Sequence, residues 1–416
     1  MEAPTPKDNP AVRDDGKTPW RLLVLLMTMA AIGSMSMNIL VPAVPRLADA
    51  LKTDKETIQL TISLFMMGLA FAQLFTGPLS DRFGRRPVIL FGFAITTIAS
   101  LGAIATSNAA GLIVARIFQA IGGASGVVMS RAIIRDLYGR DRSAQMIGVV
   151  AMAMAIAPMV APLVGGLLDS TFGWQSIFLF AAVASFGVLI WTWLTLPETR
   201  RVAADDVEHK GLGPNLKALF GSMRFFGYIL SAALGCGAFF VYVGAGPHVI
   251  ITMMERSPTE YGVWFIPTAG GYILGNFITS RLSIRYGIDT MIFWGNVLNL
   301  IGIASGFALL PFVDTVGPLV LVAPGTIMGI ANGVILPNSI AGAVSIRPQA
   351  AGTASGVLGF TQMMFGAMTT QFTGHIIVTA TSSLPALVCM LATAVACFAV
   401  YIVMLPPKQW GTLVGR

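Results

Sequence analysis

The chain has 416 residues, a net charge of +7 and a mean hydropathy of +0.77. Only 11% of its residues are charged, whereas a soluble globular protein carries about 25%. So much apolar surface cannot be hidden in one water-soluble core, because a core needs a polar shell around it. The composition therefore indicates a membrane protein. It excludes a cytosolic enzyme, a nucleic-acid-binding module, a disordered scaffold and a small disulfide-bonded domain.

Apolar runs long enough to cross a bilayer as helices, which takes about 20 residues, occur twelve times. None alternates polar and apolar residues as the strands of a membrane barrel do, so the sequence predicts an all-α membrane fold. The polar stretch before the first run makes that run a retained span and not a cleaved signal peptide. The predicted spans are residues 20–42, 57–76, 88–106, 111–133, 144–168, 175–196, 224–250, 260–280, 289–311, 316–340, 351–378 and 384–405.

A polar stretch near the middle of the chain divides the spans into two sets of six. We expect an N-terminal tail at 1–19, a six-helix bundle at 20–196, a linker at 197–223, a second six-helix bundle at 224–405 and a C-terminal tail at 406–416. Twelve spans place both tails on one side of the membrane. The linker lies on the same side as the two tails, and this side is predicted to be the cytoplasm if it carries most of the cations.

The distribution of cations gives the orientation. Of 26 Lys and Arg, 21 fall on the side of the termini, and Arg46, Lys52, Lys55 and Arg256 fall on the other side. The last one, Arg116, lies inside a span. An excess of Lys and Arg marks the cytoplasmic side, so we expect a multi-pass protein of the inner (plasma) membrane with both termini in the cytoplasm.

The two halves carry a faint internal repeat. SDRFGRRPVILFG at 80–92 aligns with SIRYGIDTMIFWG at 283–295, and both stretches join the second and third spans of their half. Two parallel six-span halves related by an axis along the membrane normal are typical of transporters that bind their substrate between the halves. The repeat therefore favours a carrier, although a duplication without a transport function would leave the same trace.

Four motifs resemble those of the major facilitator superfamily, and the first of them, at 40–51, resembles its Bcr/CflA-type drug exporters. They are LVPAVPRLADAL at 40–51, GPLSDRFGRRP at 77–87, RIFQAIGGASG at 116–126 and APMVAPLVGG at 157–166. The resemblance implies secondary active export of lipophilic small molecules by alternating access, driven by proton antiport. The alternative is a facilitator or specific metabolite exporter without proton coupling. Neither is an enzyme.

The resemblance also implies gates. Asp81 and Arg85 would latch the halves together on the cytoplasmic side, with Asp136 as the partner of an arginine and Gly77 allowing close approach of helices. Anchoring by positive charge alone would explain the arginines but not Asp81, because acids contribute little to orientation.

In the fifth span, Pro158 and Pro162 would bend the helix into a seal on the far side of the cavity. Ordinary small-residue packing is the alternative for this segment.

Arg116 is the charge within a span. Such a charge costs about 3 kcal/mol on insertion scales and normally marks function. The 19 acids all lie in tails, loops or near span ends, and Asn38 stands where Bcr/CflA-like exporters usually have a first-span acid. We expect Asn38 and Arg116 to share a depth, and substrates to offer Arg116 an acceptor or a negative charge. Alternatively, Arg116 only ties helices together through carbonyls and Gln119.

The remaining expectations are weaker. Met35, Phe239 and Tyr242 would give the cavity an adaptable apolar wall, although such residues more often serve packing. Proton coupling, without a first-span acid, would use a rim acid or one of the histidines His248 and His375. No phosphate-loop or metal-ligand spacing is present in the sequence, so we expect no cofactor or metal. The expected partners are a small-molecule substrate, protons and the lipid bilayer, for a monomer that binds no nucleic acid.

Overall fold

The computed structural model describes residues 20–40, 43–53, 55–138, 140–199, 217–256, 258–378, 380 and 382–405. These residues fold into helices, and no strand occurs among them. The prediction of an all-α fold is confirmed. The predicted tails and most of the predicted linker lie outside the described residues.

Twelve long helices coincide with the twelve predicted spans. They are α1 (Trp20–Asn38), α2 (Lys55–Phe83), α3 (Arg85–Ile104), α4 (Ala109–Leu137), α5 (Arg140–Phe172), α6 (Gln175–Thr195), α7 (Met223–Pro247), α8 (Pro258–Tyr286), α9 (Ile288–Leu309), α10 (Leu319–Ile346), α11 (Ala351–Val378) and α12 (Leu384–Met404). A short helix, Val44–Ala50, follows α1, and a π-helical segment, His248–Met253, continues α7.

Nine of these helices are long and apolar enough to cross a membrane, counting only the part of the chain that the structure describes. The other three are α5, α8 and α11. Nine such helices establish a multi-span membrane protein, since a water-soluble core cannot accommodate them. The number of twelve spans stays a prediction.

The chain forms two compact units. Unit 1 comprises Met1–Gly139, Ala153–Leu216 and Arg347–Phe360, and the remaining residues form unit 2. Unit 1 therefore contains the first ten residues of α11, which belong to the second half of the sequence. This membership matters for the site below, because it places α11 beside α2.

Each unit is built around one central helix. In unit 1, α4 packs against α1, α2 and α3, and in unit 2, α10 packs in the same way against α7, α8 and α9. Glycines make this packing close: a Cβ on Gly126 of α4 would collide with the carbonyl of Met29. Small residues at such crossings let helix backbones approach in a bilayer.

The repeated loops have the same backbone. Gly84 has φ 100 and precedes α3, and Gly287 has φ 75 and precedes α9. In both loops the glycine N–H donates to the carbonyl of a buried serine, Ser80 at 3.0 Å and Ser283 at 2.9 Å. The sequence repeat is thus a structural repeat, in which glycine ends one helix and starts the next.

This geometry gives a first test. Gly287 has ψ 155 as well as positive φ, a combination that non-glycine residues adopt only at a cost of about 1–3 kcal/mol. We expect Gly287→Ala to lower the midpoint of thermal unfolding of the detergent-purified protein. Gly270→Ala is the control, since nothing lies within 4 Å of a Cβ there and alanine favours the helix. Equal midpoints for the two variants would contradict the assigned backbone.

Candidate functional site

Arg85, the first residue of α3, lies at the centre of a buried charge network in unit 1. Its side chain is 2% exposed. Nη1 donates to Oδ1 of Asp81 at 2.5 Å and to Oγ of Ser80 at 2.8 Å, and Nε donates to Oδ2 of Asp136 at 3.0 Å. One guanidinium therefore bridges two carboxylates on different helices, so each of the three buried charges has an oppositely charged partner.

The carboxylate of Asp81 also binds the N-terminus of α11. Oδ1 accepts from the backbone N–H of Gly352 at 3.0 Å, and Oδ2 accepts from the N–H of Thr353 at 2.6 Å and from the Thr353 hydroxyl. The first N–H groups of a helix have no partner within the helix and carry a partial positive charge. Asp81 thus satisfies these donors and links α2 to α11.

Gly77 lies at the same crossing. A Cβ on Gly77 would collide with the backbone of Gly352, and one turn further along, a Cβ on Gly356 would collide with the carbonyl of Gln73. The backbones of α2 and α11 are therefore in direct contact. This close approach is what brings Asp81 within hydrogen-bonding distance of the α11 backbone.

Residues just after α6 complete the network. Glu198 accepts from the backbone N–H of Arg85 at 2.9 Å and of Arg86 at 3.1 Å, which caps the start of α3. The Thr199 hydroxyl lies 3.4 Å from Oδ2 of Asp136. We call the set of Asp81, Arg85, Asp136, Glu198 and Thr353 the latch.

Sequence reasoning named Asp81, Arg85 and Asp136 but missed Glu198, Thr199 and Thr353. Backbone donors such as those of α11 leave no mark in a sequence. Pro158 and Pro162, the predicted seal, lie within α5, but their side chains are outside the described residues.

Arg116 forms a second buried site in unit 1, on α4. Its side chain is 1% exposed. Nη1 donates to Oε1 of Gln119 at 2.6 Å, and Nε2 of Gln119 donates to Oγ of Ser100 at 2.8 Å. The guanidinium lies over the ring of Phe65, 4.0 Å from its centroid, within the range of a cation–π contact. The chain of hydrogen bonds and the ring fix both the position and the plane of the guanidinium.

Two nitrogens of Arg116 have no acceptor. Nε and Nη2 are fully buried and make no hydrogen bond, and no carboxylate pairs with this arginine in the described part of the chain. The sequence inventory of acids had predicted this absence. A buried charge without a partner is destabilising, so Arg116 differs in kind from Arg85.

Asn38 and Met35 lie at the end of α1. Nδ2 of Asn38 donates to the carbonyl of Ser34 at 3.4 Å. No hydrogen bond joins Asn38 to Arg116, since Nη1 of Arg116 donates to Gln119 and its Nε and Nη2 have no acceptor. Met35 packs against an apolar cluster that includes Ala115, the neighbour of Arg116 in sequence. The end of α1 and the start of α4 therefore border the same apolar cluster, and both the shared depth and the functional pairing of Asn38 with Arg116 stay predictions.

Phe239 and Tyr242 belong to an aromatic cluster of unit 2. Tyr242 is fully buried and stacks on Phe265 with ring centroids 5.9 Å apart, while Phe239 is half-buried and lies 6.3 Å from the same ring. In this conformation only Phe239 of the two presents part of its ring outside the packing. Their role in binding a substrate stays a prediction.

The chain was compared with known proteins. A family model described as Major Facilitator Superfamily matches residues 26–370. Multidrug resistance protein D of Escherichia coli (strain K12) is 30% identical over 339 residues, which cover 81% of this chain and 84% of that protein. The bicyclomycin resistance protein homolog of Haemophilus influenzae is 27% identical over 361 residues, 85% of this chain and 88% of that protein.

A solved structure gives the same picture for the fold. The E. coli fucose:proton symporter aligns with a TM-score of 0.74 at 13% identity, covering 92% of this chain and 98% of that chain. At this identity the likeness shows the fold alone. The family resemblance that the four motifs indicated is confirmed.

The contrast between the two buried arginines gives a second test. A buried charge without a counter-charge is costly, so its replacement by an apolar residue of similar volume removes that cost, whereas removing one partner of a buried pair costs about 3–5 kcal/mol. We therefore expect Arg116→Met to leave the thermal unfolding midpoint unchanged or higher, and the matched control Arg85→Met to lower it markedly. If Arg116 merely tied helices together through Gln119, Arg116→Met would also lower the midpoint.

Proposed function

The chain belongs to the Major Facilitator Superfamily, and we propose that it is a secondary active transporter that exports lipophilic small molecules by alternating access. The relatives named for resistance to multiple drugs and to bicyclomycin support export of such compounds. The structural observation that carries the proposal is the carboxylate of Asp81 bound to the first turn of α11. That contact links a helix from the first half of the sequence to a helix from the second half through hydrogen bonds, at a crossing where the two backbones also touch.

Such a contact suits a gate. Opening it requires the loss of the three hydrogen bonds from Gly352 and Thr353, and a hydrogen bond to a charged acceptor contributes about 1.5–3 kcal/mol net of exchange with water. Arg85 does not move with α11, so Asp81 keeps its ion pair with Arg85 when the gate opens. Neither of these two charges then loses its partner. These hydrogen bonds can therefore hold the gate closed and can also be broken once in each transport cycle.

Proton antiport is the proposed driving force. The latch contains two acids that could take part, Asp81 and Asp136, whose side chains are 5% and 9% exposed. A second candidate function is facilitated or metabolite export without proton coupling. The observation that favours it is Arg116 without a carboxylate, together with Asn38 at the position where a first-span acid could have exchanged a proton.

The orientation follows from the same proposal. With 21 of the 26 Lys and Arg on the side of the termini, the protein would lie in the inner (plasma) membrane with both termini in the cytoplasm. The latch joins the loop after α2 to the start of α11, and both belong to that side. Export would then require the latch to close behind a substrate that has entered from the cytoplasm.

Transport measurements test the function. We expect expression of the chain to raise the inhibitory concentrations of several unrelated lipophilic toxins relative to an empty vector. In the second assay, right-side-out vesicles are loaded with a fluorescent lipophile and the medium outside them is acidified by about one pH unit. This gradient supplies about 1.4 kcal/mol per proton that enters the vesicle. Antiport of one proton should then drain the lipophile to about one tenth of the outside concentration. Arrest at equal concentrations would favour the facilitator, and no change in toxin tolerance would contradict export.

Asp81→Asn tests the gate. Asparagine keeps the size of the side chain, but its Nδ2 replaces one carboxylate oxygen, so either the N–H of Thr353 or the N–H groups of Gly352 and Arg85 meet a donor and not an acceptor. Loss of one charge-assisted hydrogen bond should shift the closed-to-open equilibrium about tenfold or more, so we expect a similar fall in the initial rate of export. Asp314→Asn, which removes an exposed acid outside the latch, is the control. Equal rates for both variants would discard the latch.

A further inference from the structure

We infer that the edge of the Arg116 guanidinium formed by Nε and Nη2 binds the carboxylate of a transported lipophilic weak acid. This inference rests on the proposed export function and names the class of its substrates. It is carried by the geometry of one side chain and its fixed surroundings. Neither the family nor the relatives enter the argument.

The free donors of Arg116 form one complete binding edge. Nη1 is the nitrogen on the same side as Cδ, and it is held by Gln119. Nε and Nη2, both without an acceptor, therefore share the opposite edge, where their N–H bonds point in parallel. That edge matches the two oxygens of a carboxylate in a bidentate pair.

The neighbouring side chains fix the position and the plane of this edge. Gln119 cannot rotate its amide without losing its bond to Ser100, whose hydroxyl in turn donates to the carbonyl of Thr96 at 2.6 Å. The ring of Phe65 lies under the guanidinium plane. A ligand carboxylate would thus find both donors in place and lose little additional freedom of the protein, which favours binding.

Charge selects the ligand class. Arg116 is 1% exposed, so the charge on its guanidinium is destabilising until an anion neutralises it. A neutral carbonyl would satisfy one N–H and leave the charge, and a cation would add repulsion. An apolar body is required because Arg116 lies in a span. Since the edge is buried in this conformation, the carboxylate must reach it in another state of the transport cycle.

Three matched probes test the assignment on the full-length protein in detergent by equilibrium dialysis. They are cinnamate, methyl cinnamate and cinnamylammonium, which share one apolar body and differ in the group offered to Arg116. A bidentate charged pair should make cinnamate bind about tenfold tighter than its ester or more, and the ammonium should bind weakest. Equal binding of acid and ester, or tighter binding of the ammonium, would overturn the inference.

Variants locate the preference. Arg116→Lys keeps the charge without the planar fork and should lose most of the preference for cinnamate. Gln119→Glu places a carboxylate next to Nη1 and should also weaken cinnamate binding, while the new ion pair preserves the fold. Arg281→Gln is the control, because Arg281 lies over the ring of Phe277 in the same manner, at 5.2 Å, but is exposed. An acid preference that survives Arg116→Lys and Gln119→Glu would place the site elsewhere.

The same probes in vesicles separate this inference from the proposed function. Export of methyl cinnamate without any preference for cinnamate binding would discard the carboxylate site and leave the exporter. Tight cinnamate binding to Arg116 without export of any probe would support the site and contradict the export function.

Discussion

A charge enclosed by a helical bundle in a membrane must be neutralised, and this requirement organises unit 1. Arg85 and Arg116 are both almost fully buried. Arg85 meets the requirement internally, with two carboxylates and with the positive end of α11 next to one of them. Arg116 meets only part of it, through a neutral amide and an aromatic ring. The first arginine therefore stabilises a contact between helices, while the second has two buried N–H donors, Nε and Nη2, without an acceptor.

The internal repeat shows which of these features belong to the scaffold. Gly84 and Gly287 adopt the same unusual backbone after equivalent buried serines, so the loop geometry is duplicated. The charges of the latch are not duplicated, because Ile284 and Ile288 occupy the positions of Asp81 and Arg85. Ile284 is exposed and Ile288 is buried. The loop before α9 has a different charged contact, in which Asp289 pairs with Arg224 of α7 at 2.8 Å, while the loop before α3 has the contact to α11.

Much of this could be predicted from the sequence, for physical reasons. Hydropathy locates the spans because a bilayer needs continuous apolar helices, and all twelve predicted spans coincide with helices. The unpaired state of Arg116 followed from counting acids, since none lies mid-span. The partners of Asp81 could not be predicted. They are backbone N–H groups of Gly352 and Thr353, which any sequence would possess, and only the crossing of α2 and α11 at Gly77 makes them available.

The participation of Glu198 shows how the latch depends on distant parts of the chain. Glu198 and Thr199 follow α6 directly, at the start of the segment that leads to the second half of the sequence. By capping α3, Glu198 fixes the backbone from which Arg85 projects, and Arg85 in turn orients Asp81 and Asp136. In the proposed opening of the gate, Asp81 leaves α11 while its ion pair with Arg85 is kept, so the carboxylate stays directed at the position to which α11 returns. In that proposal, closing the gate brings the α11 N-terminus back to a fixed acceptor without separating the ion pairs of Arg85.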